Sequence, residues 1–120
     1  MGLDQKIIVQ YEDKLIYKYY YRKVNFLRRY MINTTTLDCD SNLDCVEISI
    51  ENLHRLHELC KEVLENHSKG SELLPTLSGF FFGNTDYDEY YYYDIEHLTS
   101  DLNDIFKYEE PENAWYWDWW

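Results

Sequence analysis

Apolar residues along the chain fall into short dense runs at both ends and into helical stripes between them. The runs Lys6–Tyr11 and Leu15–Tyr20 are rich in β-branched and aromatic side chains and flank Glu12-Asp13-Lys14, which predicts two strands joined as a hairpin. Tyr20, Val24, Leu27 and Met31 then recur at helical spacing, predicting a first helix over Tyr20 to Ile32 with Arg22, Lys23, Arg28 and Arg29 on its solvated side. Asn33 to Asp44 is polar and without period, and reads as a loop. Ser49 offers an N-cap to a second helix whose stripe is Leu53, Leu56, Cys60, Val63 and Leu64, ending at His67 before Ser68-Lys69-Gly70. A third helix is predicted over Asp86 to Phe106, with Tyr91, Ile95, Leu98, Leu102 and Ile105 inward and Thr85 as its cap. Beyond Pro111, the alternation of Trp115, Trp117 and Trp119 reads as a strand that joins the N-terminal pair and covers the helices, in preference to an interface. The expected fold is α+β, three helices packed on a small antiparallel sheet, as a single globular domain over 1–120.

The stretch from Leu73 to Ile95 breaks the pattern. Pro75 disfavours a helical Leu74, and Gly79 and Gly83 bracket three consecutive phenylalanines, so no helix crosses here and both glycines are expected to meet backbone demands. Two readings stay open. The stretch is either a buried loop docking a helix onto the sheet, or the wall of a ligand pocket formed by Phe80, Phe81, Phe82, Tyr87 and Tyr91.

Composition narrows the possibilities. A formal net charge of −12 would suit a disordered acidic tail, but 18% aromatic residues, including thirteen Tyr and four Trp, supply enough apolar surface for a core. The charge is uneven: residues 1–35 carry a net +4, residues 36–70 a net −5 and residues 71–120 a net −11. Such a field repels nucleic acid and anionic membrane and attracts basic protein surfaces. Three cysteines are too few for a disulfide framework, no signal-peptide pattern opens the chain and no run spans a bilayer, so a reducing cytoplasm is expected.

Candidate chemistry is sparse. Asp38, Asp40, Asn42 and Asp44 alternate as in a calcium loop but lack its glycine and distal Glu. His54, His57 and Cys60 stand a turn apart on the second helix without a coherent fourth zinc ligand, and Cys60 lies on the apolar stripe. Asp94, Glu96 and His97 are the acid–base candidates, yet no serine or cysteine has a recognisable activating partner. No cofactor and no enzymatic activity are expected.

Carboxylates on the outer side of the third helix, Asp86, Glu89, Glu96, Asp101 and Asp104, recur about every turn and with Tyr92 and Tyr93 make the candidate partner-binding surface. Spaced about 5 Å apart along the axis, they could stand in for nucleic-acid phosphates before a protein that grips those phosphates with Lys and Arg. The opening Met1-Gly2-Leu3-Asp4, Tyr21-Arg22-Lys23-Val24-Asn25 and the run Leu74-Pro75-Thr76, Ser78-Gly79-Phe80-Phe81-Phe82-Gly83, Thr85, Tyr87-Asp88-Glu89, Tyr91-Tyr92 resemble a family of small acidic proteins of tailed bacteriophages over nearly the whole length. The resemblance implies a phage accessory protein of the host cytoplasm and brings no site residues with it. The expected function is non-enzymatic: inhibition of a host nucleic-acid-handling or antiviral defence protein through the acidic surface, with no direct nucleic-acid or membrane contact. The alternative is a nucleotide-sized ligand bound in the aromatic pocket.

Overall fold

The computed structural model describes residues 2–40, 42–79 and 82–120. Four strands and four helices lie among them: β1 (Asp4–Gln10), β2 (Ile16–Arg22), α1 (Asn25–Thr34), β3 (Asp44–Ile48), α2 (Ile50–Glu65), the one-turn α3 (Gly70–Leu73), α4 (Glu89–Ile105) and β4 (Asn113–Trp119). A 3₁₀ turn over His67–Lys69 leads into α3. The strands form one antiparallel sheet in the order β2-β1-β4-β3, so the two chain ends meet at its centre. The α+β class expected from sequence is the observed one. The molecule is 21 Å thick along its shortest axis, enough for one sheet and one helical layer.

Alternation along each strand decides what faces the helices. Gln5, Ile7 and Val9 of β1 point inward beside Ala114, Tyr116 and Asp118 of β4, with Val46 and Ile48 of β3 on the same side. They close one core with Leu27 and Met31 of α1, Leu53, Leu56, Cys60 and Val63 of α2, and Ile95, Leu98, Leu102 and Ile105 of α4. β4 pairs with the N-terminal strand as its sequence predicts, but the tryptophans do not cover the helices. Tyr116 and Asp118 hold the inward positions, so Trp115, Trp117 and Trp119 stand on the opposite face, where Lys6 Nζ lies 4.5 Å from the Trp117 ring centre.

Asp118 is inward because Arg28 is. Both side chains are fully buried and form an ion pair, and Arg28 also donates to the carbonyls of Asp38 (3.3 Å) and Cys39 (3.1 Å). The expectation of a solvated Arg28 therefore fails: its compensating carboxylate lies 90 residues away in sequence. The first helix also starts later than its stripe suggests. Tyr20 to Arg22 extend β2 against Asp4 to Lys6, and Val24 N is taken by Gln5 Oε1 at 2.9 Å before α1 begins.

The two glycines act differently. Gly83 has φ +85°, a conformation open to glycine at little cost. At Gly79 the constraint is space, since a Cβ there would lie 2.2 Å from the Phe82 ring.

Candidate functional site

A concave surface with the chemistry of a partner site lies on the N-terminal half of α4. Asp88 starts the helix by accepting from the amides of Tyr90 (3.1 Å) and Tyr91 (3.2 Å), which satisfies two of its unpaired donors. Thr85, the expected cap, is upstream of the first turn, and its carbonyl accepts from Thr76 Oγ1 at 3.0 Å. Asp86 is accordingly in the preceding loop, its amide bonded to Asn84 Oδ1 at 2.7 Å, and does not belong to the carboxylate stripe of the helix.

Burial of Tyr91 and Ile95 fixes the rotation of α4. Glu89, Tyr93 and Glu96 are thereby turned to solvent on one stripe, about 10 Å from first to last. Tyr90 and Tyr93 are 70% and 67% exposed. Tyr92 leans back, stacking on His67 with centroids 3.9 Å apart and donating its hydroxyl to the His67 carbonyl at 3.1 Å. Together Glu89, Tyr90, Tyr92, Tyr93, Glu96 and His67 line a shallow hollow of about 640 Å³. Aromatic floors flanked by carboxylates suit a basic side chain, through ring quadrupole and charge together.

Four of the seven expected partner residues, Glu89, Tyr92, Tyr93 and Glu96, meet in this hollow. Asp101 is half-buried and engaged: it accepts from the Tyr21 hydroxyl at 2.7 Å and faces His97 Nε2 at 3.4 Å. Asp104 is exposed but lines a different cleft, at the far end of the helix. Sequence reasoning missed Tyr90 and His67. Tyr90 adjoins the inward Tyr91 in a run of four tyrosines, where composition gives no orientation, and His67, whose stacking on Tyr92 no local pattern signals, comes from the turn that ends α2.

Of the aromatic-pocket residues, Phe80 and Phe81 lie outside the described residues. Phe82 is buried, edge-on to Trp120 at 5.3 Å, with the Arg28 guanidinium 5.4 Å from its ring centre. Tyr91 is buried as well, and its hydroxyl donates to the Leu74 carbonyl at 2.8 Å, pinning the Pro75 loop to α4; burial pushes that hydroxyl's pKa well up. Tyr87 packs against Tyr91 at 4.9 Å and accepts from the Thr76 amide at 3.1 Å. These three rings hold the loop in place rather than facing a common cavity.

The metal candidates are also accounted for. His57 Nε2 is 2.6 Å from Asn103 Oδ1, and burial holds its pKa below the usual histidine range. His54 stacks on Phe106 at 3.9 Å and contacts Glu110, while Cys60 is fully buried and its thiol is pushed up to about 12 by desolvation. In the loop, Asp38, Cys39 and Asp40 bring donor atoms within 4.8 Å of one another, all exposed, and Asp38 Oδ1 accepts from the Asp40 amide at 2.9 Å. That arrangement is an Asx turn tethered to Arg28, and exposed acidic groups alone do not make a metal site.

Asp94 has a perturbed carboxyl. It lines a small cleft of about 170 Å³ with Phe26 and Tyr91 as its apolar walls and Lys23, Asp86 and Asp88 at its rim. Burial raises its pKa to about 6, and Asp88 adds to the rise against an opposing pull from His97. A carboxyl whose folded pKa lies above its unfolded value binds more protons when folded, so its ionisation lowers stability as pH rises from about 4 to about 6. Asp94→Asn is therefore expected to raise the melting temperature at pH 7 and to leave it nearly unchanged at pH 4; an equal shift at both would refute the assignment.

No family model matches the chain, and no curated protein or solved structure is similar to it. No helix among the described residues is long and apolar enough to cross a membrane.

Proposed function

We propose that the protein is a non-enzymatic binding protein that engages a basic surface on a partner protein through the hollow at the start of α4. The observation that carries this reading is the placing of three tyrosine rings between Glu89 and Glu96, in the part of the chain that holds a net −11. The carboxylates would raise the association rate and set its salt dependence, and Tyr93, exposed and aromatic, would anchor. In view of the resemblance to tailed-phage proteins, the partner is read as a host protein of the cytoplasm that handles nucleic acid, defence nucleases included, and inhibition as occupation of its phosphate-binding groove. A nucleotide-sized ligand has less to stand on, because Phe82 and Tyr91 are taken up by internal packing.

The test is capture from host lysate at low and high salt, with the captured protein then purified and its association rate measured. Glu89→Lys with Glu96→Lys is expected to slow association on the order of tenfold at low salt, with the melting temperature held. Undiminished association by this variant would overturn the proposal.

A further inference from the structure

The other end of α4 builds a separate concavity, about 360 Å³ in volume, between the β1–β2 hairpin and the segment that follows the helix. Its walls are tyrosines. The inward alternation of β1 continues past Val9 to Tyr11, whose hydroxyl donates to the Ile105 carbonyl at 2.7 Å and so locks the ring against the helix end. Tyr17 meets Tyr11 edge-on, with centroids 5.6 Å apart and planes at 79°, so the two rings make a right-angled corner. Tyr19 comes from the same side of β2, and Tyr108, 89% exposed, faces the cleft from beyond the helix.

Charge around these rings is one-sided. Among the described residues, Asp13, Asp104 and Glu109 line the cleft against a single cation, Lys107, whose Nζ lies 5.2 Å from the Tyr108 ring centre. The Tyr11 hydroxyl is pushed up to about 12, first by burial and then by Tyr19 and Glu109. Perpendicular π faces with nearby carboxylates attract a soft, weakly hydrated cation, and Lys107 already occupies one such face from within the chain. An anion would meet net repulsion here.

We propose that this cleft is a binding site for an organic monocation, an alkylammonium or guanidinium group held on the tyrosine faces and neutralised by Asp104 and Glu109. Lys107 is then an internal competitor that an incoming cation displaces from Tyr108. The proposal is independent of the hollow at the start of α4, from which Asp104 is separated by at least two turns of helix.

Two probes distinguish the sources of the cation: choline for a free ammonium compound, and N-acetyl-arginine methylamide for a side chain of a protein. Ring-proton shifts of Tyr11, Tyr17 and Tyr19 are followed by NMR at constant ionic strength, with 3,3-dimethylbutan-1-ol as the neutral isostere of choline. Saturable shifts with at least one cation are expected, the stronger of the two naming the source, and binding of the isostere should be weaker by about tenfold. Asp104→Asn should weaken cation binding several-fold and Lys107→Gln should tighten it, while Glu89→Lys/Glu96→Lys leaves it unchanged. Because Asp104 and Lys107 are exposed, neither substitution threatens the fold. Equal binding of the alcohol and choline, or no saturable shift with either cation, would overturn the proposal.

Discussion

Asp118→Ala is expected to cost about 3–5 kcal/mol of folding stability, enough to unfold a large fraction of a marginally stable domain at room temperature. Arg28 is wholly buried and cannot shed its proton, so deleting its carboxylate strands a full positive charge in the core. The loss spreads further, because the Tyr116 hydroxyl donates to Asp118 at 2.8 Å and accepts from Gln5 Nε2 at 2.9 Å, and Gln5 in turn ties the Val24 backbone at the start of α1. Replacing both ions, Arg28→Met with Asp118→Leu, is expected to recover most of the stability, since the pair contributes little net energy over an apolar substitute of similar volume. Urea unfolding of the three variants measures both effects. A cost below about 1 kcal/mol for Asp118→Ala would mean that the guanidinium finds other compensation.

Leu98→Ala is expected to cost about 2–5 kcal/mol, the transfer free energy of the lost side chain plus the cavity left behind. Leu98 is fully buried on the stripe by which α4 docks on α2, between Ile95 and Leu102. The stripe holds the helix in its rotation, and that rotation presents Glu89, Tyr93 and Glu96 to solvent. Partner capture should therefore fall with stability in this variant, whereas Glu89→Lys/Glu96→Lys should lose capture alone. Thermal unfolding run beside the capture assay separates the two; a melting point within a degree or two of the parent would contradict the placement of Leu98 in the core.

Some of this was legible in the chain because it is decided locally. Helical spacing of Leu53, Leu56, Cys60 and Val63 and of Ile95, Leu98, Leu102 and Ile105 identifies the inward faces of α2 and α4, and the strands at both ends follow from short β-rich runs. Ser49 caps α2 as its position suggests, through Asn52 N. In the candidate site, the exposed stripe Glu89, Tyr93 and Glu96 follows from the same periodicity, whereas the stacking partner His67 has no local signal at all. Asp88 displaced Thr85 as the cap because the helix starts three residues later than Asp86, and where a helix starts among several acidic and polar candidates is settled by how its face docks. β3 was not expected: the polar loop reads as ending at Asp44, and residues 45–48 are too short a run to mark a strand without its pairing with β4.

By itself, then, the sequence determined the α+β class, the inward stripes of the two long helices and the acidic character of the C-terminal half, all properties set by period and composition. Tertiary structure alone decided which side of β4 meets the helices. An alternating strand reads the same with its tryptophans in or out, and the buried guanidinium of Arg28, on α1, calls for a carboxylate beside it. Asp118 takes that place, Trp115, Trp117 and Trp119 are turned outward, and the two tyrosine-lined concavities at opposite ends of α4 arise from rings brought together across distances in sequence that no local pattern spans.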